Sequence, residues 1–138
     1  MDKLKIYSAY LPFEVKINYN SIDCIGILKS IDTFRNQVSF FSKHLFEQIE
    51  IEDVKPILFS LEDLTKEITI GGKEIIAIDY IATSIQNRQR ILRRVSNNLN
   101  LDVLEYWQFE RLLELKFNVF NLPETEYIKV TDEFNPYK

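Results

Sequence analysis

The segment from Ile51 to Ile68 constrains this chain most. A strand-like end reaches Pro56, an extended apolar trio follows at Ile57, Leu58 and Phe59, and Ser60 then opens a short helical turn. Proline has no backbone N–H and fixes its own φ, so residues 54–59 read as an edge strand or a connector. Ser60 is a good helix cap, with Asp63 three residues on supporting the first turn. Leu61, Leu64 and Ile68 give that turn one apolar face. The segment joins a β-rich part, residues 1–59, to a hairpin and helical part, residues 60–138. A length of 138 residues suits one domain over 1–138.

Upstream, Leu11 to Tyr19 alternates, with Phe13, Val15, Ile17 and Tyr19 on one face and Glu14, Lys16 and Asn18 on the other. Asn20 to Asp23 is turn chemistry. Cys24 to Ile31 reads as a second strand, whose Gly26 marks a bulge or a close backbone approach. Gln37 to Phe41 makes a third strand and Gln48 to Ile51 a short fourth. Short strands at this spacing predict a small antiparallel SH3-like barrel or, alternatively, a curled sheet.

Downstream, Glu67 to Ile70 and Lys73 to Ile78 flank Gly71-Gly72, and a two-residue hairpin turn demands the positive φ that glycine supplies. Asp79 reads as the N-cap of a helix running to about Val95, striped by Ile81, Ile85, Leu92 and Val95. Ser96 to Asn100 interrupts it. A second long helix is expected from near Asp102 to Asn121, ahead of Pro123. One of its stripes holds Tyr106, Phe109, Leu113, Phe117 and Phe120, the other Leu104, Leu112, Leu115 and Val119. Apolar on two sides, it is expected to bury Trp107, Phe109, Leu113 and Phe117, and over 103–120 it offers a homodimer surface. Tyr127 to Val130 adds a last strand-like piece. The expected class is α+β: the small barrel or curled sheet, then a hairpin and two main helices.

Hydrophobic content of 46%, with ten Phe, seven Tyr and one Trp, supplies a real core. A net charge of −4 gives no general attraction to nucleic acid or anionic membrane. Cys24 is the only cysteine, so neither an internal disulfide nor a Cys-rich metal site can form. Met1 to Tyr10 lacks the apolar run of a signal peptide, and no run approaches the ~20 residues of a bilayer span. The expected location is the cytoplasm of a host cell, with no membrane partner. Gly26, Gly71 and Gly72 are the only glycines, so no dinucleotide or Walker phosphate loop can be written.

His44, the sole histidine, would have to pair with Cys24 or a serine to make a nucleophile, and no motif surrounds it. Glu47, Glu50, Glu52, Asp53, Glu62 and Asp63 lack the alternation and glycine turn of a calcium loop. Asp23, Asp32, Glu50, Glu52 and Lys55 could line a metal-nuclease site only if folding converged them. A solvated acidic face is the plainer reading. No cofactor, no metal and no enzymatic activity are expected.

One local feature departs from this background. Arg88-Gln89-Arg90-Ile91-Leu92-Arg93-Arg94 holds four of the chain's six arginines. At about 100° per residue, Arg90, Arg93 and Arg94 share one helix face, while Arg88 falls on the apolar stripe and should snorkel or pair with a carboxylate. The functional reading is an anion-binding face for RNA, DNA or an acidic protein groove. The plainer reading is a solvated face that balances an acidic surface. No stacking aromatics stand beside the arginines in sequence.

The run Lys55-Pro56-Ile57-Leu58-Phe59-Ser60-Leu61-Glu62-Asp63-Leu64-Thr65-Lys66-Glu67-Ile68, followed by Gly71-Gly72-Lys73, resembles an uncharacterised family of small phage and prophage proteins of Bacteroidota-type bacteria. So does Leu112-Leu113-Glu114-Leu115-Lys116-Phe117-Asn118-Val119-Phe120-Asn121-Leu122. The family usually carries Trp-His or a similar pair where Leu115-Lys116 stands and glycine where Asn121 stands, and residues 80–105 match nothing in it. The resemblance implies a mobile-element origin and carries over no catalytic residue. A non-enzymatic phage accessory protein that binds and inhibits a host defence complex, of the anti-CRISPR type, is the leading expectation. Its partner would be a host protein or ribonucleoprotein complex. The alternatives are a nucleic-acid-associated module of phage replication or packaging, with direct contact through the arginine helix, and a structural assembly component.

Overall fold

The computed structural model describes residues 2–20, 24–43, 45–96 and 104–138. They form two compact units, Met1–Leu58 with Phe120–Lys129, and Phe59–Val119 with Val130–Lys138.

The first unit opens with helix α1, Lys3–Tyr10, whose N-cap Asp2 accepts a hydrogen bond from the Lys5 amide. It buries Ile6, Tyr7 and Tyr10. The Tyr7 hydroxyl donates to the Val54 carbonyl at 3.1 Å. Burial, with the charges of Glu126 and Glu52, pushes this phenol well above its usual range. A 3-10 turn, Leu11–Phe13, follows, and Glu14 takes a left-handed conformation. The strand expected from Leu11 therefore starts only at β1, Lys16–Tyr19. Pro12 is the reason, since its fixed φ suits the first turn of a helix. The inward alternation survives at Val15, Ile17 and Tyr19, all buried.

β2 (Ile25–Asp32), β3 (Gln37–Ser42), β4 (Leu45–Glu50), β5 (Val54–Leu58) and β8 (Ile128–Lys129) complete a six-stranded sheet in the order β4-β3-β2-β1-β5-β8. All pairings are antiparallel except β5 with β8. The sheet ends at β4 and β8 and is not closed into a barrel. β8, two residues long and parallel to its neighbour, offers β4 nothing to close against. The fourth strand also begins earlier than expected, at Leu45, and Ile51–Asp53 is a 3-10 turn. Pro56 is not on an edge. It sits opposite Ile17 in β5, between β1 and β8, and is tolerated because β8 pairs only at Ile57 and Leu58, past the proline. Gly26 marks a close approach, since a Cβ there would lie 2.5 Å from Phe40 Cδ2. The bulge in β2 falls instead between Leu28 and Ser30.

In the second unit Ser60 caps a 3-10 helix, Leu61–Thr65, its hydroxyl accepting from the Glu62 amide at 3.2 Å. β6 (Glu67–Ile70) and β7 (Lys73–Ile76) form the expected hairpin, with Gly71 and Gly72 at φ 59° and 79°. The C-terminal tail holds this turn. The Gly71 amide donates to the Tyr137 carbonyl and the Asn135 side chain to the Thr69 carbonyl, both at 2.7 Å.

The helix expected from Asp79 to Val95 is two helices, α2 (Ile78–Ile81) and α3 (Ile85–Ser96). Asp79 lies inside α2. The cap of α3 is Ser84, whose hydroxyl accepts from the Asn87 amide while its carbonyl accepts from Arg88. α4, Tyr106–Glu114, is opened by a capping box between Glu105 and Gln108. It stops well short of Asn121. The Lys116 amide bonds to the Leu113 carbonyl and the Phe117 amide to that of Leu112, with Lys116 at φ 63°. That is a Schellman closure made without glycine. The chain then runs beside Phe59, bonding it through Lys116 O and the Asn118 amide. Phe117 and Val119 are buried there, and Leu112 and Leu113 within α4. Trp107 is 43% exposed and Phe109 only half-buried, against the expectation of core positions. The break expected over 97–100 and residue Asp102 lie outside the described residues, but the helix itself starts later than expected, at Tyr106 after the extended cap Glu105.

Candidate anion-binding face

α3 is amphipathic in the sense that matters for a site. Ile91 is its fully buried residue, and Arg88, Leu92 and Val95 flank it half-buried. Arg90, Arg93 and Arg94 are exposed on the opposite side, as their spacing requires. Ile85 departs from the expected stripe and is 77% exposed. Seven residues before Leu92, it lies on the same side of the helix as Leu92 but in the first turn, where it stays exposed. Arg88 behaves as its position implies, since its guanidinium pairs with the Asp79 carboxylate of α2. Both partners are partly exposed, so the pair contributes only about 0–1 kcal/mol. Arg93 and Arg94 stand in the last turn, where positive charge complements the helix dipole.

Gln108 fixes where α3 and α4 begin. Its buried side chain donates to the Ile81 carbonyl and to Asn87 Oδ1, and it accepts from the Glu105 amide at 2.9 Å. Asn87 Oδ1 also accepts from the Thr83 amide. One amide side chain thus ties the end of α2 to the first turns of α3 and α4.

An open depression of about 440 Å³ lies beside α2, lined by Glu67, Glu74, Ile75, Ile76, Asp79 and Tyr80. Glu67 and Glu74 share a hydrogen bond across the hairpin, which together with their mutual repulsion raises the Glu67 pKa. Several of the other acids have separate partners. Glu50 accepts from Gln37, Glu52 pairs with Lys3, Asp63 with Lys66, and Asp32 accepts from the amides of Phe34 and Arg35. Among the described residues, no group of three or more His, Cys, Asp or Glu could hold a metal ion. Asp23 and His44 lie outside the described residues. Cys24 is half-buried at the foot of β2.

Two exposed apolar features escaped the sequence reading. Tyr106 and Trp107 present rings at the start of α4, where an uninterrupted stripe suggested burial. Leu45 and Phe46 stand exposed at the start of β4. Among the described residues no helix is long and apolar enough to cross a membrane. Searches of family models, curated proteins and solved structures find no match to this chain.

Proposed function

We propose that this chain acts by stoichiometric binding, as a non-enzymatic accessory protein of a phage or mobile element. Its target is an anionic surface of a host protein or ribonucleoprotein complex in the cytoplasm, and its effect is inhibition of a host defence machine, of the anti-CRISPR type. The observation that carries the binding face is the exposure of Arg90, Arg93 and Arg94 together on α3, with Arg88 withdrawn onto Asp79. Guanidinium groups suit this work because each presents a planar fork to carboxylate or phosphate. The phage and counter-defence parts rest on the resemblance around Lys55–Ile68 and 112–122.

Reversing all three arginines to glutamate should abolish capture of the partner from host lysate and leave thermal melting nearly unchanged, because exposed charges contribute only about 0–1 kcal/mol per surface pair. Capture with and without nuclease identifies whether the partner needs nucleic acid. Normal capture by the folded triple variant would remove these residues from the site.

A nucleic-acid-associated replication or packaging module, built on an SH3-like sheet and the arginine helix, is the second reading. The exposed rings of Tyr106 and Trp107 favour it, as stacking surfaces in the same unit. Such a module binds nucleic acid alone, with affinity falling steeply as salt rises. A structural assembly component would instead self-associate through 103–120.

A further inference from the structure

β4 is an open sheet edge of unusual character. It is six residues long, contains no proline, and among the described residues pairs on one side only, with β3. Leu45, Phe46, Glu47, Gln48 and Glu50 are all exposed, Leu45 by 64% and Phe46 by 71%. Long apolar edges invite another strand, and proteins normally shorten, cover or interrupt them. Here the only blunting devices on the strand are two carboxylates, Glu47 and Glu50.

The backbone direction follows from one hydrogen bond. The Ile51 amide donates to the Asn36 carbonyl at 2.9 Å, in the register that sets Gln37 opposite Glu50 and Phe41 opposite Phe46. Bonded pairs alternate along an antiparallel ladder, so Leu45, Glu47 and Ile49 turn their backbone groups to β3. The backbone N–H and C=O of Phe46, Gln48 and Glu50 therefore face the open edge. On the same face of the sheet, Ile27 lies opposite Phe41 and Phe41 opposite Phe46, whose ring packs on that of Phe41 at 5.1 Å between centroids. This apolar row stops at the edge, half-finished.

We infer that β4 is a strand-addition site for an extended segment of a partner protein, apolar opposite Phe46 and basic opposite Glu47 and Glu50. A second copy of this chain is the poorer occupant. Two-fold pairing of β4 with itself brings Glu47 and Glu50 of both copies onto one short seam, and centring it on Glu47 sets that carboxylate against itself. Like charges facing each other across strands destabilise the pairing, whereas opposite charges support it. Backbone bonds at Phe46, Gln48 and Glu50 would give affinity, and the two carboxylates would choose the partner. This site belongs to the first unit and the arginine face to the second, so either can fail alone.

The test uses the full chain and the acetylated, amidated hexapeptide Lys-Val-Thr-Lys-Val-Val. Paired antiparallel to β4, it sets its lysines opposite Glu50 and Glu47 and its valines opposite Ile49, Phe46 and Leu45. Amide exchange by NMR should slow severalfold at Phe46, Gln48 and Glu50, with Leu45, Glu47 and Ile49 little changed. Gln48→Pro removes an outward donor and none of the bonds to β3, so it should lose the slowing. The double variant Glu47→Lys, Glu50→Lys should exchange partners, losing the lysine peptide and gaining its glutamate counterpart. Reversal of Arg90, Arg93 and Arg94 should leave peptide binding intact. Unchanged exchange at the three amides, up to the solubility of the peptide, would overturn the inference. So would a dimer of the free protein that protects the same amides and that Gln48→Pro dissociates.

Discussion

Gly26 shows how much of this fold hangs on single atoms. Its missing side chain leaves room for the ring of Phe40, which is fully buried and packs on Tyr19 at 4.4 Å between centroids. The contact is with the ring of a buried, packed residue. Gly26→Ala should therefore destabilise the protein by about 1–3 kcal/mol, the usual cost of overpacking a core. Chemical denaturation measures it, and an unchanged midpoint would mean that Phe40 finds another rotamer. A second residue-scale test concerns the hairpin. The hydrogen bond that protonated Glu67 donates to Glu74 raises the Glu67 pKa, and charge repulsion between the two adds to it. In the window between the unfolded and the raised folded pKa the native state holds the extra proton, so stability is full below that window and declines as pH rises through it. Glu74→Gln should flatten this dependence and raise the melting temperature at neutral pH. A pH series of melting curves on the two proteins decides it.

Among the elements, those governed by local chemistry were legible in the sequence. Ser60 caps its turn and Gly71-Gly72 makes its hairpin because a hydroxyl and two left-handed positions suffice. The arginine face was legible for the same reason, since 3.6-residue spacing alone puts Arg90, Arg93 and Arg94 on one side. What stayed hidden depends on partners far along the chain. α4 ends at Glu114 because Lys116 adopts φ 63° with no glycine to announce it, and the residues after it pair with Phe59. α1 was invisible because its buried residues, Ile6, Tyr7 and Tyr10, make only a short stripe. The split of α2 from α3 rests on Gln108, more than twenty residues away. Gln108→Leu keeps the volume and removes the bonds. It should cost about 1–3 kcal/mol, because the buried Ile81 carbonyl then loses this donor. Unfolding free energy reports the cost, and slower amide exchange at Thr83 and Asn87 in the variant would contradict the linking role.

At the scale of the whole molecule, the chain does not fold as consecutive pieces. Each unit takes one long segment and one short return from the C-terminal stretch. The first unit needs residues 120–129 for β8 beside Ile57 and Leu58, for the ring of Phe120 edge-on to Tyr10 at 5.9 Å, and for the buried Leu122 and Tyr127. The second needs residues 130–138, where Val130 and Tyr137 are buried and Tyr137 packs on Phe59. Removing one large buried side chain costs about 2–5 kcal/mol. Domain stability is only roughly 5–15 kcal/mol. A stop after Val119 removes several such side chains at once, so the truncated chain should show no cooperative unfolding. A stop after Lys129 keeps the return strand of the first unit and takes only the tail of the second. It should retain dispersed amide signals for β1, β2 and β3 while those of β6 and β7 collapse, because the Gly71 and Thr69 backbone groups lose their bonds to Tyr137 and Asn135. Equal loss of signal from both units after this shorter cut would show that they unfold as one cooperative body. A fully dispersed spectrum would show that the tail contributes nothing to the hairpin it contacts.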